Sequence, residues 1–184
     1  MVKSLQLLLF VLFLQSFADI VHCANSQYSR MPNEPVDVFL DIRFDGEIIV
    51  YCKPDGDTCT ILHNDLQEQD FVMFTINGMN DSMYYVTAFS SLTDSIYVTG
   101  WIKKNSHLGV FSSAYSKDKP LQLYEYPSKN SNAIITEPTY NPNVYEVIDA
   151  KGKWLKVKTY IGNDSFEGWM PPSFQCANPY TTCS

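Results

Sequence analysis

From residue 36 onward, apolar and polar residues alternate instead of recurring at helical spacing. Val36, Val38, Leu40, Ile42 and Phe44 make one such run, and Leu155 and Val157 belong to another. Successive strand side chains point to opposite faces, so a period of two predicts strands buried on one face. Turn-forming pairs interrupt the runs at short intervals: Asp45-Gly46, Asp55-Gly56, Asn77-Gly78, Lys151-Gly152 and Gly162-Asn163. Such pairs tolerate the left-handed angles of tight hairpins. Many short strands broken by turns of this kind predict an all-β fold, either a sandwich or small barrels.

An internal repeat favours the barrels. Val50-Tyr51-Cys52-Lys53-Pro54 aligns with Leu123-Tyr124-Glu125-Tyr126-Pro127, and Ile61-Leu62 with Ile134-Ile135. Val72 and Phe74 then match Tyr145 and Val147, Tyr84 and Val86 match Leu155 and Val157, and Gly100-Trp101-Ile102 matches Gly168-Trp169-Met170. Each copy spans roughly 55–60 residues, about the least that folds as a unit without help. The predicted organisation is a first barrel over 36–112 and a second over 113–184, the latter ending in a disulfide-closed tail. The first barrel carries an extra N-terminal strand, Val36 to Phe44, expected to hairpin through Asp45-Gly46 onto Glu47 to Tyr51. Residues 24–35, with Pro32 and Pro35, read as a flexible leader. Each copy is expected to close around its own apolar residues.

The first 23 residues read differently. Lys3 precedes an apolar run from Leu5 to Phe17, followed by weakly polar residues up to Cys23-Ala24. One charge, a short apolar core and a small-residue exit predict a signal peptide, residues 1–23. The run falls short of the about 20 apolar residues that span a bilayer. The mature chain is therefore expected outside the cytoplasm, periplasmic or extracellular, with no transmembrane segment. The cysteines bear on the cleavage point. Cutting after Ala18 leaves five; cutting after Cys23, or before it with lipid on its sulfur, leaves four to pair. Ile20-Val21-His22 lacks the small residue that normally precedes a lipidated cysteine, which favours release over an anchor at Cys23.

Cys52 and Cys59 flank Pro54-Asp55-Gly56-Asp57, and Cys176 and Cys183 enclose a loop of the same length. Four cysteines allow three connectivities. Cysteines facing each other across a hairpin stand at disulfide distance, and export favours oxidation, so local pairing is expected.

Charge excludes one partner class. The net charge is −7 with no basic stripe, so nucleic acid is not expected to bind. Nucleophilic catalysis needs a nucleophile, a base and an orienting group that converge. Only His63 and His107 lie beyond the leader, neither in a catalytic motif. Asp55, Asp57, Asp65, Glu68 and Asp70 meet neither the glycosidase nor the calcium-loop pattern and read as solvated turn residues. The chain is read as no enzyme, without metal or cofactor. Binding chemistry falls to the aromatic residues. Leu155 and Val157 take the core face of their strand, so Trp154 is expected opposite, with Lys156 and Lys158. Beside Tyr124, Tyr126 and Tyr140 its ring is expected either to form a shallow aromatic groove for a short peptide or glycan, or to cap the barrel and seal the interface between the two barrels. Trp101 and Trp169 are expected to pack.

Leu123-Tyr124-x-x-Pro127, Ile134-Ile135, Tyr145-Glu146-Val147, Gly152-Lys153-Trp154-Leu155-Lys156-Val157 and Gly168-Trp169-Met170-Pro171 together resemble bacterial SH3-like (SH3b) domains. The tail Cys176-Ala177-Asn178-Pro179-Tyr180-Thr181-Thr182-Cys183 is similar to the ending of secreted SH3-domain proteins of Bacteroides-type bacteria. The resemblance covers 121–184 directly and 46–104 through the internal repeat. It implies two tandem SH3-like barrels serving as a binding module of the cell envelope, with a cell-wall peptide or glycopeptide as ligand. The alternative it leaves is a structural or regulatory interaction protein, an accessory to a separately encoded envelope hydrolase.

Overall fold

The computed structural model describes residues 34–183 apart from 106, 114, 140, 163, 181 and 182. The expected signal peptide and all but the last two residues of the leader lie outside the described residues.

The fold is all-β, as the alternation predicts. The strands are β1 (Val36–Leu40), β2 (Ile48–Tyr51), β3 (Thr58–Leu62), β4 (Val72–Met79), β5 (Met83–Ser90), β6 (Ile96–Lys103) and β7 (Leu108–Ser112). They continue with β8 (Leu121–Tyr124), β9 (Ala133–Glu137), β10 (Tyr145–Lys151), β11 (Trp154–Ile161), β12 (Asp164–Met170) and β13 (Gln175–Cys176). A 3-10 turn, Pro172–Phe174, precedes β13. The strands form one antiparallel sheet in the order β3-β2-β6-β5-β4-β1-β7-β10-β11-β12-β8-β9, with β13 added to β7.

That order reads the same from both ends. β3-β2-β6-β5-β4-β1 is matched, element for element, by β9-β8-β12-β11-β10-β7. The registers repeat too: Tyr51 faces Trp101 across β2 and β6, and Tyr124 faces Trp169 across β8 and β12. A bulge falls after Val50 in one copy and after Leu123, its counterpart, in the other. Gly100 and Gly168 are required at the two crossings. A Cβ at Gly100 would lie 2.7 Å from the Tyr51 carbonyl oxygen, and one at Gly168 would lie 2.8 Å from Leu123 Cβ.

Val50, Phe74, Ile76 and Val86 of the first copy and Leu123, Leu155, Val157 and Met170 of the second are all fully buried. They belong to one continuous cluster. Val38 and Leu40 of β1 and Leu108 and Val110 of β7 join the halves. No α-helix covers this face among the described residues, so the sheet must wrap over itself to exclude water. Each fully buried aliphatic side chain contributes about 1.5–3 kcal/mol. Lys104 adds a polar link between the copies, donating to Asp149 at 2.7 Å.

Two sequence expectations fail locally. The first strand does not hairpin onto Glu47 to Tyr51: it stops at Leu40 and pairs with β4 and β7. Residues 41–44 turn instead, with the Phe44 amide donating to the Asp41 carbonyl at 2.8 Å and Arg43 donating to the Asp41 carboxylate. The buried Asn64 side chain ties this turn down by donating to the Asp41 carbonyl at 3.1 Å. Asn77-Gly78 is likewise no hairpin turn. It lies inside β4 at a bulge, and the chain reverses at Asn80 to Ser82.

Alternation breaks down in β1 because both of its faces are covered. Phe39, Met73 and Phe111 form a second apolar cluster with Cys176, on the side away from the main core. The C-terminal tail supplies the cover. Tyr180 packs on Phe71 at 5.5 Å and donates to the Gln69 carbonyl at 2.8 Å, so the end of the second copy is fastened to the first.

Candidate functional site

Of the four expected binding aromatics, the structure brings two into contact. Leu121 and Leu123 of β8 point inward, which turns Tyr124 outward; Leu155 and Val157 do the same for Trp154. The rings of Tyr124 and Trp154 meet edge to face, 5.6 Å apart at 88°. This geometry suits the ring quadrupoles and fixes both side chains. Tyr124 Oη also donates to Gln122 Oε1 at 2.9 Å. Lys156 stands on the same strand face and donates to Glu167 at 3.1 Å. Tyr126 follows on the loop beyond β8 and is 62% exposed. Tyr140 lies outside the described residues. In the first copy Met83 takes the place of Trp154 and is buried. Trp101 and Trp169 are buried beside their facing tyrosines.

The first copy instead holds a cavity of about 240 Å³ beside Tyr51, the counterpart of Tyr124. Phe44, Glu47, Ile49, Lys103 and His107 share its lining. The Phe44 and His107 rings stack at 4.0 Å and 12°. His107 adopts a left-handed backbone (φ 54°), and its carbonyl accepts the Asp41 amide at 2.8 Å. Lys103 Nζ lies 5.9 Å from the centre of the Tyr51 ring. Sequence reasoning missed this cavity, although the alignment of Tyr51 with Tyr124 and the alternating Lys103, Asn105 and His107 were a usable signal. A second cavity, of about 290 Å³, opens between Val36, Lys153, Pro172 and Gln175.

Two polar networks also escaped the sequence reading. Glu137 is buried, and its Oε2 accepts hydrogen bonds from Tyr115 Oη at 2.6 Å and Tyr145 Oη at 2.7 Å. Tyr115 Oη in turn accepts the Asn141 amide at 2.9 Å. Burial, then the bond to Glu137, pushes the Tyr115 phenol up to about 12. Burial and the same network drive Tyr145 well above the ordinary phenol range, and burial does so for Tyr84. The signal was phase: Glu137 falls two residues after the inward Ile135. Asp70, expected as a solvated turn residue, accepts from Ser90, Tyr97 and Ser91 at 2.8–3.3 Å. Burial opposes its charge, but the hydrogen bonds outweigh that and hold it below the usual carboxylate range.

Both expected disulfides are present. Cys52 pairs with Cys59 and Cys176 with Cys183, at Cα separations of 5.1 and 5.5 Å. They suit an oxidising, exported setting. Among the described residues no helix is long and apolar enough to cross a membrane, and no group of three or more His, Cys, Asp or Glu could hold a metal ion. No protein-family model, curated protein or solved structure matches the chain.

Proposed function

We propose that this chain is a non-enzymatic, exported binding module of the bacterial cell envelope, made of two tandem SH3-like small barrels. A cell-wall glycopeptide or short peptide lies against Tyr124 and Trp154, with Tyr126 and Tyr140 as further contacts. The observation that carries this reading is the edge-to-face pair of Tyr124 and Trp154, which holds two half-buried rings in place at low entropic cost. The matching strand orders of the two halves and the two local disulfides support the tandem-barrel and export parts. Titration with soluble muropeptides tests it through tryptophan emission and the NMR signals of Tyr124 and Trp154. Saturable shifts that Trp154→Ala abolishes are expected; unchanged spectra with muropeptides and with intact sacculi would remove the wall ligand.

A second reading makes the chain an accessory that docks an envelope hydrolase. It draws on the two ends of the sheet, where among the described residues β3 and β9 each lack a neighbour on one side and present Ile61 and Ile134, both 48% exposed. Unpaired strand edges recruit partner strands. Recovery of one stoichiometric protein partner on the tagged chain, lost with Ile61→Lys or Ile134→Lys, would select it.

A further inference from the structure

The cavity beside Tyr51 has a chemistry of its own, different from that of the Tyr124–Trp154 pair. Glu47, Ile49 and Tyr51 follow one another at period two, so they share the outward face of β2 and its lead-in. Tyr51 pairs with Trp101 of β6. Continuing that register sets Lys103 opposite Ile49 and Asn105 opposite Glu47. One strand thus carries the Glu47 carboxylate followed by the apolar Ile49 and Tyr51, and the other carries the Lys103 ammonium. The stacked Phe44 and His107 rings stand at one side.

Glu47 and Lys103 line the same cavity, yet among the described residues neither belongs to an ion pair. Lys103 is steered instead over the Tyr51 ring. A ligand bearing one charge would engage one of these side chains and leave the other to water. A ligand with opposite charges at its two ends and an apolar middle engages both, and Ile49 and Tyr51 as well. At about 240 Å³ the cavity is smaller than the about 300–1,000 Å³ of sites for drug-sized molecules. It matches one or two residues.

We infer that the first copy holds a second binding site, between Glu47 and Lys103, for a small apolar zwitterion: a short peptide with both termini free. Its carboxylate is received by Lys103, with Asn105 alongside, its ammonium by Glu47, and its side chain by Ile49, Tyr51 and the face of the Phe44–His107 stack. The two copies then differ at equivalent places, an edge-to-face aromatic pair in one and a dipolar contact in the other.

The test is a ¹⁵N NMR titration of the disulfide-bonded chain with the dipeptide Ala-Phe, its N-acetylated form and its C-terminal amide. Ala-Phe is expected to shift the amides of Tyr51, Lys103 and His107. Blocking either terminus is expected to weaken binding about two- to fivefold, the scale of one exposed ion pair. Lys103→Met should bind the acid and the amide equally, and Glu47→Gln should bind the acetylated and free forms equally. Both side chains are exposed, so neither variant threatens the fold. Blocked forms that bind as well as Ala-Phe would overturn the proposal. So would shifts confined to Tyr124 and Trp154, or a dipeptide that moves no signal up to its solubility. The muropeptide titration at Trp154 succeeds or fails independently of all three results.

Discussion

Phe39 and Gly109 face each other where β1 meets β7, and they hold equivalent places in the two copies. Phe39 faces Met73 of β4 and Gly109 faces Glu146 of β10, and Met73 and Glu146 correspond in the repeat. A two-fold axis relating the copies would pass through this pair, so a symmetric molecule would carry the same residue twice. The chain carries a large ring and no side chain at all. A Cβ on Gly109 would lie 2.9 Å from the Phe39 ring and 2.5 Å from Val144 Cγ1, so the ring occupies the space the glycine leaves. The join between the copies is built on that asymmetry.

Gly109→Ala is therefore expected to destabilise the chain by about 1–3 kcal/mol, the range for overpacking a filled interior. Urea denaturation measures it. Adding Val144→Ala should recover part of the loss, because that side chain is the nearest obstacle. Strictly additive effects would place the obstruction elsewhere.

The two crossing glycines make a ranked pair. Gly100→Ala drives a methyl against the Tyr51 backbone carbonyl, which cannot rotate away, while Gly168→Ala meets Leu123 Cβ and the flexible end of Ile134. Both should cost about 1–3 kcal/mol, with Gly100→Ala the larger. A reversed order in denaturant midpoints would contradict the geometry.

The strand content, the repeat and the inward residues could be read from sequence because all three depend on local alternation. Val50 with Leu123 and Val86 with Val157 sit where period two and the internal alignment place them. The partnership of β1 could not be read this way. Its register is set across the molecule by β4 and β7, and local alternation says nothing of that. The Asp45-Gly46 turn signal suggested the nearer partner, and the Asp41–Arg43 bonds and Asn64 override it. At the aromatic site, the outward direction of Trp154 followed from the inward Leu155 and Val157. Its edge-to-face contact with Tyr124 needed the fold, because 30 residues separate them in the chain. Glu137 was legible in phase but overlooked, since polar residues are seldom expected on a core face.

Breaking the Cys176–Cys183 bridge should loosen the join as well as the tail. The Cys176→Ser/Cys183→Ser double variant is expected to lose about 2 kcal/mol by the chain-entropy model for so short a loop. The tail also covers Phe39, Met73 and Phe111. The variant should therefore bind a hydrophobic dye that the parent excludes. Unchanged dye binding would mean that Tyr180, through Phe71 and Gln69, holds the tail without the bridge.

Acid should weaken the chain through Asp70 and Asp41. Burial opposes both charges, but hydrogen bonds prevail and depress both folded-state values; Arg43 supplies them for Asp41. A depressed carboxylate stabilises the fold fully above the unfolded value of about 3.9 and loses that contribution as pH falls through the folded value. Asp70→Asn should lower the melting temperature at neutral pH. Its deficit relative to the parent should shrink as the pH drops below about 4. A deficit that stays constant with pH would assign Asp70 an effect unrelated to its charge.

Alkali should act through the buried phenols, with the opposite sign. In the unfolded chain tyrosines lose their protons near about 10. In the folded chain Tyr115 holds its proton to about 12, through burial and its bond to Glu137, and Tyr145 and Tyr84 hold theirs longer. Between these values the unfolded state binds fewer protons, so stability must fall as pH rises through that interval. Phenolate absorbance should therefore include a late, cooperative stage in which Tyr84, Tyr115 and Tyr145 lose their protons as the chain unfolds. Glu137→Ala leaves the hydroxyls of Tyr115 and Tyr145 without their shared acceptor, at a cost of about 2–4 kcal/mol. It should bring the late stage to lower pH. A parent in which Tyr115 and Tyr145 lose their protons before the chain unfolds would mean water reaches Glu137, and the buried network would not be what holds β9 and β10 to the segment that joins the copies.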